Sequence, residues 1–471
     1  MPAIDFPTGT APGTNPTENG GRLINCYAEK APKGSRGSVL WRRAAGLTTR
    51  FTTTETEARG SILVGSLLYV ISGDKGYSVD SDYAVTELTG TIGGTGPVFM
   101  ARNMAATPNV LIVHSAGMSE INTGTATISD FTDIDLPAAN SICWIDSYFM
   151  VSSAAGKVYQ SGVNATTFSS VDFTTAEADP DGLVRVVAIG RELAMMGNST
   201  IEIWSNAGNP TGFAFNRGPV LPVGLKGPYA VTGWEPGFST ALVFVSNDNT
   251  VRRLDGYSPT RISTPALERL IEAVADPDDI EASVHVVSGH QCVVVTGPTW
   301  SWLFDLSTSE WYERASYGSD RWRARFGVNA FDEWLVFDRD SGKVFAVDPT
   351  SRREDDDPLV MDIRSNQAHR FPGRLFVKRA SFDFVTGVGL DAGEDPIESN
   401  PRALISFSDD GGRTFGNARE FLLGAQGQDV SLDWFRAGVT NRRGRQWRIQ
   451  VSDPVEVVFL GAAMDVEERA A

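Results

Sequence analysis

Residues 67–81, LLYVISGDKGYSVDS, read as an apolar strand, a turn at Gly73 and Asp74, and a second strand of alternating character. The pattern returns as NVLIVHSAGMSEINT at 109–123, SYFMVSSAAGKVYQS at 147–161 and ELAMMGNSTIEIWSN at 192–206. It continues as ALVFVSNDNTVRRLD at 241–255, QCVVVTGPTWSWLFD at 291–305 and EWLVFDRDSGKVFAV at 333–347. Successive starts lie about 38 to 50 residues apart, close to the period of four-stranded propeller blades. A single unit of this kind is apolar on both faces, so neighbours must stack on it around an axis. Intervening segments such as AVTELTG, ATISDF and TFSSVDF supply outer strands, which gives an all-β propeller of six or seven blades. Stacked β-sandwiches made of the same hairpins are the rival assembly.

Around this region the texture changes twice. Residues 1–60 are rich in Gly, Pro, Thr and Arg with little periodicity, and are expected to form an extended N-terminal arm or a platform-completing segment. The propeller is assigned to 61–355, interrupted by a short helix near 264–275. There Thr264 is the N-cap, Pro265 the first helical residue, and Leu267, Leu270, Ile271 and Val274 follow at helical spacing. SRREDDDP at 351–358 reads as a boundary loop, and the longer strands of 356–471 as an appended C-terminal β-sandwich, the platform domain.

The chain has 471 residues and a formal charge of −17, nearly all of it before Val360, which excludes a surface that grips nucleic acid phosphates throughout. Cys26, Cys143 and Cys292 are single and widely spaced, so they form neither a disulfide framework nor a Cys-x-x-Cys metal site. No basic-then-apolar leader opens the sequence and no run of about 18 apolar residues occurs, so neither export nor membrane insertion by this chain is expected.

Chemistry-bearing spacings are missing. His114, His285, His290 and His369 show no metal-binding pattern, and no Gly-x-Ser-x-Gly, Walker or dinucleotide-binding fingerprint is present. No catalytic residue, cofactor site or metal site is assigned. The acid pairs Asp278/Asp279, Asp355/Asp356/Asp357 and Asp409/Asp410 lie beside Pro or Gly and read as solvated turns. SDDGGRTF at 408–415 carries the Ser-x-Asp-x-Gly-x-Thr-aromatic pattern of an Asp-box hairpin. Asp410 accepts backbone N–H groups across the turn, Gly412 tolerates positive φ, and Phe415 packs beside it, with Ser408 and Thr414 completing the motif. Sialidases carry several copies, which keeps a glycoside hydrolase or a glycan-binding propeller as the alternative. One copy without an acid, base or nucleophile is a structural hairpin. The basic cluster NRRGRQWR, with Arg442, Arg443, Arg445 and Trp447, has the composition of a phosphate contact, but it immediately precedes a strand and reads as a protein interface or a solvated turn.

Three blocks carry a family resemblance: RLINCYAEKAP with WRRAAGLTTRF near the start, NSTIEIWSNAGNP with TPALERLIEAV in the middle, and SDDGGRTFGNAREF with RRGRQWRIQVSDPVEVVFLGA near the end. Together they resemble the packaged-DNA stabilisation proteins, the tail hub subunits of short-tailed, Salmonella-phage-like podoviruses. The resemblance implies a structural virion protein without enzymatic activity, assembled in the host cytoplasm as a homo-hexameric ring. It implies a portal-adaptor protein above, a tail needle or plug below, tailspikes or fibres at the sides, and packaged DNA only as transiting cargo.

Overall fold

A computed structural model describes residues 2–15, 18, 20–34, 37–176, 182–209, 211–238 and 241–469. Six four-stranded antiparallel blades occupy 58–87, 99–130, 141–175, 183–221, 231–261 and 281–313. The seventh takes Ala324–Ala330, Glu333–Asp338 and Lys343–Asp348 from the end of the repeat region and its fourth strand, Gly46–Thr52, from near the N-terminus. The propeller therefore has seven blades. First strands of successive blades pack on one another, except that blades four and five meet through a shared core, and blade seven returns to blade one, so the ring is closed.

Local sequence explains the blades. In blade one, Leu68 and Val70 face Leu335 and Phe337 of blade seven, while Tyr69 and Ile71 face Val110 and Ile112 of blade two. Period-two alternation thus sends successive residues into two different cores, which is why the strands read as apolar throughout. Leu111 and Val113 meet Phe149 and Val151 in the same way, and Met150 and Val158 meet Leu193 and Met195. Two-residue turns at positive φ join the first two strands of several blades, at Asp146 and Ser147, Ser288 and Gly289, and Phe331 and Asp332.

The helix spans Pro265–Glu272 and buries Leu267 and Ile271 in the core of blades four to six; Thr264 makes no side-chain cap bond. Asp276 caps the following turn, accepting the N–H of Asp278 at 3.1 Å.

The second part of the molecule is two sheets. Blade six does not stop at Glu310–Glu313: Arg22–Ile24 pairs beside it in parallel, and Met361–Arg364, Gln446–Val451, Arg402–Ser408 and Arg419–Leu422 continue the sheet. The facing sheet runs Cys26–Lys30, Val39–Arg43, Val458–Arg469, Arg374–Phe384, Leu432–Val439, with Ala3–Ile4 added to the long C-terminal strand. One core spans both sheets and blades six and seven, from Leu23 and Trp41 through Leu303, Trp322 and Phe345 to Trp434, Trp447 and Phe459. The boundary expected at residue 60 is corrected here, because Gly46–Thr52 is a propeller strand. Its partner, Lys343–Asp348, lies some 300 residues away and no local period reveals that pairing.

Candidate functional site

The Asp-box turn sits between the strand Arg402–Ser408 and the segment leading to Arg419–Leu422. Asp410 accepts from the Ser408 hydroxyl at 2.6 Å, the N–H groups of Arg413 and Thr414 at 3.0 Å each, and the Thr414 hydroxyl at 2.6 Å. These bonds, led by those from Ser408 and Thr414, hold its carboxyl well below the usual range. Gly412 has φ +85° and donates its N–H to Ser408 Oγ at 2.9 Å. Phe415 is half-buried beneath the guanidiniums of Arg364 and Arg448. All five residues make one turn, and the carboxylate it contains is already saturated by its own hairpin.

The basic cluster divides. Arg442 and Arg443 are exposed at the turn before the strand Gln446–Val451. Arg445 and Trp447 point inward, so their assignment to a surface is corrected. Arg445 forms a two-pronged pair with Asp409 at 2.8 Å for both bonds and donates to the Ala437 carbonyl at 2.6 Å. Its guanidinium lies 3.7 Å from the Phe407 ring centroid. Trp447 packs against Trp434, Phe382 and Phe407. The inward residues Trp447, Ile449 and Val451 alternate, a signal that was present in the sequence. Asp409 is thus an ion-pair partner and not a solvated turn residue. Likewise Asp355 pairs with Lys343, and Asp357 with Arg323.

At the propeller axis, the first strands line a cavity of about 380 Å³ with a largely apolar wall. Arg185 enters it between the rings of Phe99 and Trp234, at 4.5 and 4.6 Å, and donates to the Pro228 carbonyl at 2.7 Å. Burial lowers its pKa to about 10. Glu281 is also largely enclosed there, which opposes ionisation, but Arg339 and Arg325, each at 2.6 Å, hold its carboxyl below the ordinary value. Arg59 spends its donors on the carbonyls of Gly96, Gly73 and Gly93. These are locks between blades; each charged group is engaged by protein.

Burial pushes the thiols of Cys143 and Cys292 up to about 12 and that of Cys26 well above its usual value, so all three stay protonated near neutral pH. Among the described residues, no three or more His, Cys, Asp and Glu side chains are grouped to hold a metal ion, and no helix is long and apolar enough to cross a membrane.

Comparison with known families gives a match over residues 22–352 to the phage stabilisation family, described as bacteriophage P22 Gp10, beta-propeller. The chain belongs to that family. It is accordingly a bacteriophage structural protein of the packaged-DNA stabilisation, tail hub type, and the seven-bladed ring is the propeller for which the family is named. The match starts at Arg22, where the sandwich sheet begins to pair with blade six, and includes the strand that closes blade seven. No curated protein matches the sequence. Among solved structures, the computationally designed Ika8 protein is 11% identical over 70% of this chain and 100% of its own, with a TM-score of 0.39. U3-55K is 10% identical over 65% and 99%, with a TM-score of 0.42, and the RRP9 WD40 repeats are 11% identical over 65% and 99%, with a TM-score of 0.43. At such scores nothing further is drawn from them.

Proposed function

We propose that this chain is the hub subunit of a short phage tail, forming a homo-hexameric ring below the portal and its adaptor. The ring closes the channel after packaging so that the genome does not leak, and offers docking sites to a needle or plug and to tailspikes or fibres. It assembles in the host cytoplasm, meets DNA only as transiting cargo, and catalyses nothing. The observation that carries this reading is the family match, which spans the propeller and the N-terminal strands that tie it to the sandwich.

Two surface features agree with an assembly role. Leu432–Val439 and Arg419–Leu422 end their sheets, and they expose Phe435, Val439 and Leu422. Sheet ends with exposed apolar side chains are what a monomer avoids and an assembled subunit covers. Arg442 and Arg443 stand on the same sandwich and meet the adaptor or the neighbouring subunit. A phage lacking this chain is expected to fill its heads and then lose DNA, with retention restored when the chain is supplied. Stable, DNA-filled particles without it would overturn the reading. The double variant Arg442→Glu/Arg443→Glu is expected to fold and fail to join tails; full-length tails would refute that contact.

A further inference from the structure

A second cavity, of about 290 Å³, lies where blades six and seven meet the N-terminal hairpin and the sandwich. Blade six contributes His285, Tyr312 and Arg314, the hairpin Arg42 and Arg43, and the loop after blade seven Arg352. Four guanidiniums therefore face two lining carboxylates, Glu29 and Glu456, in a chain whose overall formal charge is −17. Both carboxylates are engaged by Arg42, at 2.7 and 3.6 Å, and Glu456 reaches Arg352 only at 4.0 Å.

The two deepest arginines are under-satisfied. Arg43 donates to the carbonyls of Asp453 at 2.8 Å, Val451 at 2.9 Å and Val455 at 3.4 Å, and its Nε has no acceptor. Arg314 has a side chain only 3% exposed; its Nη2 makes bonds of 3.2 Å to the Ala45 carbonyl and Glu354, and its Nε and Nη1 have no acceptor. Glu354 is itself shared with Trp322 Nε1 and the Ser316 hydroxyl, and the Arg314 guanidinium lies 4.6 Å over the Trp322 ring. His285, 4% exposed, lines the same chamber, lies 5.6 Å from the Trp322 ring at a tilt of 53°, and its imidazole makes no hydrogen bond among the described residues.

The four lining guanidiniums outnumber the two lining carboxylates, and charge held in a partly buried site favours a counter-ion. Planar N–H forks match oxygens of phosphate and carboxylate groups, and the available volume suits a phosphate or a molecule of citrate size. We propose that this chamber binds a small multivalent oxyanion, a phosphate or a di- or tricarboxylate, which locks the N-terminal hairpin and the sandwich onto blades six and seven. Such a ligand adds to the clasp already made by the shared core, because it binds the assembled junction and not the unfolded chain.

The test uses the full chain, titrated separately with inorganic phosphate and with citrate at constant ionic strength in chloride. Calorimetry is expected to give a saturable heat with at least one of them, and thermal unfolding a saturating rise of about 3 °C at a hundredfold excess over Kd. Which anion saturates first distinguishes a phosphate site from a carboxylate site. Arg352→Gln, at the partly exposed mouth, is expected to weaken binding about tenfold with its Tm in chloride unchanged. Arg314→Met is expected to abolish binding, and if it does not fold, Arg352→Gln decides. No heat with either anion would overturn the proposal. So would a non-saturating rise equal in wild type and Arg352→Gln, which is the signature of exclusion from the protein surface.

Discussion

Blades one to three and blades six and seven are built from the same hairpin, yet they are held in different ways. The first three are joined by separate inter-blade cores, in which Ile112 or Phe149 meets only the neighbouring sheet, and their outer strands and loops expose Ile134, Val163 and Val171. The last two share one continuous core with the sandwich and the N-terminal strands. The first arrangement divides stability into modules and leaves lateral surface for partners; the second makes a rigid clasp between ring and platform. One protein thus combines a modular side with a fused side.

Two buried aromatics separate these regimes most sharply. Trp447→Ala is expected to cost about 4 kcal/mol and to raise amide exchange in the sandwich, blade six and blade seven together. Phe149→Ala, costing about 3 kcal/mol, is expected to raise exchange in blades two and three alone. Uniform exchange changes in both variants would erase the distinction.

Asp409→Ala probes the clasp through charge. It leaves Arg445, whose side chain is 1% exposed, buried without its carboxylate, and is expected to cost about 3 kcal/mol in urea denaturation. A loss below 1 kcal/mol would mean that the pair is dispensable.

This pair also shows what the sequence revealed. The blade hairpins were legible because their strands are neighbours in the chain and alternate between two cores. The Asp-box was legible because all its bonds lie within a few residues. By contrast, the charge of NRRGRQWR masks the alternation of Trp447, Ile449 and Val451, and Asp409 supplies the counter-ion of Arg445 from a turn 36 residues away. The closure by Gly46–Thr52 and the joining of blade six to Arg22–Ile24 depend on pairings between distant segments, which leave no local mark.

The fused side also carries two histidines that respond to pH in opposite senses. Burial, with Arg314 nearby, lowers the pKa of His285 to about 3, so the unfolded chain takes up a proton below its ordinary 6.5 while the folded chain does not. Stability is lost as pH falls through that interval, by about 2 kcal/mol on reaching pH 5. His290 bonds to Asp305 at 2.6 Å, and this bond raises its pKa; its contribution is full below the ordinary value and is lost as pH rises through the folded one. His285→Gln is expected to flatten the acid limb of a Tm–pH profile; an unchanged limb would refute the assignment. The smallest effect is expected at the Asp-box: Asp410→Ala should cost about 1 kcal/mol, because it breaks hydrogen bonds within one turn and touches neither core.

Electron microscopy of the purified chain mixed with a portal and adaptor complex tests the proposed role most directly. The expected image is a closed ring of this chain seated on one end of that complex. Lone propellers that neither close into a ring nor attach to it would contradict the assignment to a tail hub.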